Sequence, residues 1–339
     1  LRRRQGLTPA DLATLRRDAD VLRRLQESVE NATCLPTLER QDIPPDVPVV
    51  AAHSAEAGGR VVTYEQATSG IVYIAAAAGS GNLPPELSDL APFFCHAFSR
   101  IGTALRDYSE MARRIDAVTG GVGLAVQPRT GFDGAGDCIP FVALNAKSLR
   151  RNLDPMADIL AELLGRYDFS DRGRLKNLLL EYRSGLESAV VHNGHRLAMS
   201  LAARYFSAAS ALSEAWSGVH QLLAVKRLTE DLSEERLTDV AARLDDIGKR
   251  VFSRDNVRVA VIGETDVLSA ARTRVADLTA ALSSAAGAGF TQPPATASGV
   301  NVREGWSTAT AVNFVAAAFP AVRLEHADSP ALAVIAKML

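Results

Sequence analysis

Between Pro9 and Val29 the apolar positions Leu12, Leu15, Ala19, Leu22, Leu25 and Val29 recur every three or four residues, with charge between them. That spacing places them on one narrow helical stripe, suited to pairing with a second helix. Thr8, Pro9 and Asp11 supply the start: a capping hydroxyl, a proline in the first turn and an acid at the third position. Pro36, Pro44, Pro45 and Pro48 then forbid a regular helix and predict an extended linker. Beyond it the period shortens. Runs at 60–66 and 71–78 predict adjacent strands joined through Thr68, Ser69 and Gly70. The stretch 89–121 organises the rest: a buried helix ending at Gly102, then a second from Asp107 to the Gly120-Gly121 pair. Strands follow at 122–130 and 139–146, linked by a glycine-rich turn at 131–137. Helices are predicted over 153–164, 171–191, 196–217, 219–232 and 233–252. A strand at 257–262, a helix at 266–284 and a small-residue linker at 283–298 complete the series. The pattern predicts an α+β fold: an antiparallel-rich sheet with helices packed on one face, preceded by a helical linker arm.

A long-range repeat extends this reading. The run Ile71, Val72, Tyr73, Ile74 and three alanines is echoed by Val312, Asn313, Phe314, Val315 and three alanines. Each is followed by an acid, Asp89 or Asp328, a proline and an apolar helical start. The offset of about 240 residues is domain-sized. It predicts a strand at 312–318 that begins a second copy of the domain, with the chain ending inside it. The expected organisation is an arm and proline-rich linker at 1–45, an α+β domain at 46–290, and a linker with a truncated second domain at 291–339. A first residue of Leu rather than Met suggests an excerpt from a longer protein.

Composition narrows the function. Lys+Arg number 37 against Asp+Glu 39, a net charge of −2, which provides no global attraction to nucleic acid or anionic membrane. The basic groups Arg2–Arg4, Arg16-Arg17 and Arg23-Arg24 read as a solvated helix face. No apolar run is long enough to span a bilayer. The three cysteines Cys34, Cys95 and Cys138 are far apart and odd in number, which predicts no disulfide framework and favours a reducing compartment.

Candidate chemistry is sparse. His192 and His195 flank a helix-breaking glycine without Cys or acidic neighbours, and read as a loop or cap. His96, alone on an apolar helix, reads as a hydrogen-bonded core histidine rather than a base. Gly79, Gly81 and Pro84 depart from a dinucleotide loop, because proline replaces the third glycine. Gly121 and Gly123 open a strand, so they present no helix N-terminus to phosphate. Asp245-Asp246 and Glu234-Glu235 lie on helix patterns as solvated faces. No catalytic, cofactor-binding or metal-binding residue is assigned.

A set of motifs nevertheless carries a resemblance. It comprises Cys34-Leu35-Pro36-Thr37-Leu38 with Asp42-Ile43-Pro44, and Thr68 through Tyr73. Arg106-Asp107-Tyr108, Arg114 through Gly121, Gly194-His195 and Trp216-Ser217-Gly218 continue it. In these the chain resembles the pitrilysin/insulinase-like zinc metallopeptidases, most closely their presequence-protease branch. The resemblance implies four related α+β domains joined by a helical hairpin, with this chain supplying one hairpin arm, the third domain and the start of the fourth. The family's zinc sits in the first domain, on a helix carrying His-x-x-Glu-His. Anchoring on Gly102-Thr103 places Phe93 and Ala97 at the ligand positions and His96 at the base position; neither Phe nor Ala binds zinc. The resemblance therefore implies a non-catalytic part of a zinc metalloendopeptidase, one wall of a chamber that holds unfolded peptides, inactive by itself. Its implied partners are the N-terminal catalytic half of the same parent, which would carry the zinc, and the peptides themselves. The alternative is a catalytically inactive family member serving as a structural or partner subunit.

Overall fold

The computed structural model describes residues 8–28, 35–46, 49–52, 60–131, 136–293, 302–308 and 310–338. The Arg2–Arg4 run, Cys34, Pro48, the tip of the 131–137 turn and much of the 283–298 linker lie outside the described residues. The chain divides into two compact units, Leu1–Val50 and Ala51–Leu339.

In the first unit, α1 (Pro9–Glu27) begins on the expected capping box. The Thr8 hydroxyl accepts from the Asp11 amide at 3.2 Å, and the Asp11 carboxylate accepts from the Thr8 amide at 2.9 Å. None of its residues is buried, and the stripe of Leu15, Leu22 and Leu25 lies open. A short 3-10 turn at Arg40–Asp42 interrupts the proline-rich stretch.

The second unit is built on a five-stranded sheet of order β1-β5-β2-β4-β3. Its strands are β1 (Val61–Glu65), β2 (Ile71–Gly79), β3 (Val122–Thr130), β4 (Cys138–Leu149) and β5 (Val257–Gly263). Three of the four pairings are antiparallel, and β1 with β5 is parallel. The expected adjacency of β1 and β2 is corrected here, because β5 lies between them. The Thr68–Gly70 connection still reverses the chain, with Ser69 at φ 53° and Gly70 at φ 77°, but it spans one strand width rather than closing a hairpin.

Side-chain alternation decides where the core sits. Along β4, Val142, Leu144, Ala146 and Ser148 are buried, while Asn145, Lys147 and Leu149 are exposed. Strand β5 repeats this with Val257, Val259 and Val261 buried and Arg258 exposed. A period of two therefore gives the sheet one covered face and one open face.

The covering helices are α2 (Pro85–Ser88), α3 (Ala91–Phe98), α4 (Tyr108–Val118), α5 (Leu153–Arg166), α6 (Arg172–His192), α7 (Gly194–Ala203), α8 (Ala208–Ser217), α9 (Val219–Leu228), α10 (Glu234–Val251) and α11 (Thr265–Ala280). Apolar residues of α2–α6 and α9–α11 join the inner sheet face in one core. Side-chain caps start several of these helices: Asp107 for α4, Asp171 for α6, Ser207 for α8 and Ser233 for α10. Ser207 also explains one correction, since the single helix expected over 196–217 breaks at 204–207, where this hydroxyl accepts from the Ser210 amide at 3.0 Å. The helix expected to reach Gly102 stops at Phe98, and the one expected to reach Leu232 stops at Leu228.

The strand expected at 312–318 is absent: those residues are extended but unpaired, and α12 (Ser329–Met338) follows without a buried residue. Upstream, residues 288–291 are stitched to the core. Asn256, almost wholly buried, donates to the carbonyls of Gly79 and Val251 at 2.8 and 3.0 Å and accepts from the Gly289 amide at 2.9 Å. Asn256→Ala should cost about 1–3 kcal/mol by orphaning these groups, as urea unfolding would report. An unchanged midpoint would mean that water replaces the side chain without loss.

Candidate functional site

Helix α3 carries the positions that the motif comparison singled out. Phe93 and Ala97 are both 0% exposed. The Phe93 ring lies 5.6 Å from that of Tyr182 and 6.4 Å from that of His96, centroid to centroid. Phe94 and Phe98 turn into a second aromatic cluster with Tyr167, Phe169 and Phe252. Neither Phe93 nor Ala97 has a donor atom, so the residues present do not fit zinc. Among the described residues no group of three or more His, Cys, Asp or Glu could hold a metal ion.

His96 is half-buried beside Tyr182, with 4.9 Å between ring centroids. Its Nδ1 lies 3.5 Å from Arg100 Nη1, and its buried Nε2 has no hydrogen-bond partner among the described residues. The hydrogen-bonded core histidine expected from sequence is thus only half satisfied. Burial, reinforced by the Arg100 charge, holds its pKa below the usual imidazole value. Burial likewise pushes the Tyr182 phenol up to about 12 and the Cys95 thiol well above its ordinary range. These groups are neutral near pH 7 and offer neither a thiolate nor a phenolate as nucleophile.

His192 and His195 flank the α6–α7 junction and converge on nothing chemical: the His195 ring packs 6.3 Å from Phe314. The glycine between them has a packing role, because a Cβ at Gly194 would sit 2.3 Å from the Phe314 ring.

The Gly102-Thr103 pair marks a polar cluster that sequence reasoning missed. Thr103 Oγ1 donates to Glu162 Oε1 at 2.6 Å, and the Arg106 guanidinium pairs with the other carboxylate oxygen. Glu162 is only 8% exposed. Burial alone would raise its pKa, but the bonds from Thr103 and Arg106 and the charges of Arg106 and Arg114 outweigh that and hold it below the usual carboxylate range. The sign follows: a depressed folded-state pKa adds stability that is complete above the ordinary carboxylate range and lost as pH falls through the folded value. The acid limb of a stability–pH profile should therefore flatten in Glu162→Gln relative to the parent protein. An unchanged acid limb would show that the ion pair contributes nothing to it. This cluster braces the loop after α3 against α5, and it faces no assembled chemistry.

The family model for the region associated with peptidases of family M16, subfamily C, matches residues 2–228. The chain belongs to that family. A mitochondrial presequence protease of Danio rerio is 31% identical over 238 residues, covering 70% of this chain and 23% of the relative. One of Yarrowia lipolytica is 25% identical over 339 residues, covering 98% of this chain and 34% of the relative. The chain thus spans between about a quarter and a third of the length of these curated relatives. Among solved structures, the inactive domain of a peptidase M16 from Pseudomonas fluorescens aligns with a TM-score of 0.47 at 17% identity, over 69% of this chain and 51% of that one. The α+β architecture with helices on one sheet face stands on the chain's own geometry. Among the described residues no helix is long and apolar enough to cross a membrane.

Proposed function

We propose that this chain is a non-catalytic part of a zinc metalloendopeptidase and forms one wall of the chamber that receives unfolded peptides. The observation that carries the reading is the one-sided sheet. Registered across it, Tyr73 lies between Lys147 and Ile262, and Ala75 lies between Asn145 and Ala260. Ala77 lies between Ala143 and Arg258, and Ala125 continues that row on β3. Small side chains with scattered aromatic and polar ones make a shallow surface that contacts a polypeptide without demanding a sequence. The names of the presequence-protease relatives support peptides as the material handled. On the same reading, 46–290 forms one α+β domain, 291–339 begins a second, and zinc belongs to the catalytic half of the parent.

A photo-crosslinking side chain placed at Tyr73 in the full-length parent should label a bound unfolded peptide, whereas one at the exposed Lys176 on α6 should not. Equal labelling at both positions, or none at Tyr73, would remove the chamber-wall assignment. The purified chain, with or without added zinc, should cleave no unfolded peptide. Stoichiometric zinc that resists chelation, with cleavage lost in His96→Ala, would overturn that expectation.

A further inference from the structure

Residues 302–319 lie as a strap across the helical side of the second unit, over α6, α7 and α9. Beneath and beside it is a cavity of about 1290 Å³, floored by apolar groups that include Val190, Leu197, Leu201 and Leu222. The strap is anchored at its start. Arg204 pairs with Glu304 at 3.0 Å, and the Trp306 indole meets the His220 ring edge-on at 5.6 Å. Glu214, almost fully buried, accepts from the His220 amide at 3.3 Å and so fixes the start of α9 under that anchor. Further along, Phe314 packs on Gly194 and His195.

Burial in the strap alternates. Ala316 and Ala318 are partly covered, whereas Ala317 is exposed and Val315 is 97% exposed. That is strand geometry, yet among the described residues the backbone of 310–319 makes no backbone–backbone hydrogen bond. A β-prone sequence held extended, with unpaired edges beside an apolar cavity, is a strand lacking its neighbour.

We propose that this cavity is a binding site for an extended apolar peptide segment, which pairs edge-on with 312–318 and lays alternate side chains against α7 and α9. Size and lining fit a ligand site, being largely apolar with few polar groups. The unpaired backbone selects the ligand class: a peptide main chain satisfies those amides and carbonyls, and a hydrocarbon chain does not. The inference does not rest on the chamber-wall reading, since the site is on the helical side and would bind a segment whether or not the parent hydrolyses peptides.

The test is calorimetric titration of the full chain with a short soluble peptide of alternating valine and threonine ended by lysines. It is compared with two versions N-methylated on alternate amides, one for each edge. One-to-one binding is expected, with at least one methylated version weakened by about tenfold or more. Two variants check the place: Ala198→Trp, which fills the cavity, and Asn313→Pro, which removes a strap amide. Each should weaken binding by a similar factor, and circular dichroism would confirm that at least one of them is folded. No binding of the parent peptide overturns the proposal. Equal binding of all three peptides overturns the strand pairing, and undiminished binding to a folded variant overturns the location.

Discussion

Phe93→Ala should lower stability by about 3–5 kcal/mol, the range of large-to-alanine truncations in well-packed cores. The ring is 0% exposed, and its neighbours Tyr182 and His96 approach from one side while α3 packs on the sheet at the other. The site has few ways to collapse, because Phe94 and Phe98 are committed to the aromatic cluster with Tyr167 and Phe252. A domain stable by roughly 5–15 kcal/mol would keep its fold but lose a large share of that margin. Urea or thermal unfolding monitored by circular dichroism is the measurement. A variant as stable as the parent protein would mean that the cavity refills, and would remove the claim that this helix has become pure core.

The triple variant Phe93→His, His96→Glu and Ala97→His should be less stable still. It rebuilds the zinc-binding motif at the positions that the family resemblance marks. Ala97 is 0% exposed, so an imidazole there over-packs the interior at about 1–3 kcal/mol. The histidine replacing Phe93 brings a polar group into an apolar site without a partner, at about 1–3 kcal/mol on the protein mutational scale, besides the lost ring. A glutamate at position 96 would sit beside Tyr182 and Arg100, where the present imidazole already leaves Nε2 unsatisfied. The sum approaches the whole stability of an ordinary domain, so the expected result is a largely unfolded or aggregated protein at room temperature. Zinc would not rescue it, because no further acidic ligand stands nearby among the described residues. A folded triple variant that binds zinc stoichiometrically would show that the metal-site geometry survives beneath the apolar side chains.

These variants separate two meanings of an inactive site. The chemistry is absent from α3 in atomic terms, since a phenyl ring and a methyl group stand where ligands would be needed. Helix and sheet nevertheless keep a packed arrangement, and the side chains that removed the chemistry now hold the core. Loss of a metal site and gain of a hydrophobic contact are here the same substitutions.

The features legible in the sequence are those decided within a few residues. Thr8, Asp107, Asp171 and Ser233 mark helix starts because a capping oxygen reaches an amide three residues on. The alternation in β4 and the helical stripe of α10 were visible because burial imposes periods of two and 3.6 on any element with one covered face. The apolar character of 93–101 sufficed to expect Phe93, Phe94, Ala97 and Ile101 in the interior. Tertiary structure alone decided what depends on a distant partner. Strand β5 lies between β1 and β2 although it is nearly 190 residues downstream, and no local pattern encodes that insertion. Glu162 became a buried, ionised brace only because Thr103 and Arg106 meet it from another loop. The run 312–318 has the composition of a strand and an extended backbone but is not one, because a strand is a paired state and pairing is set by the neighbour.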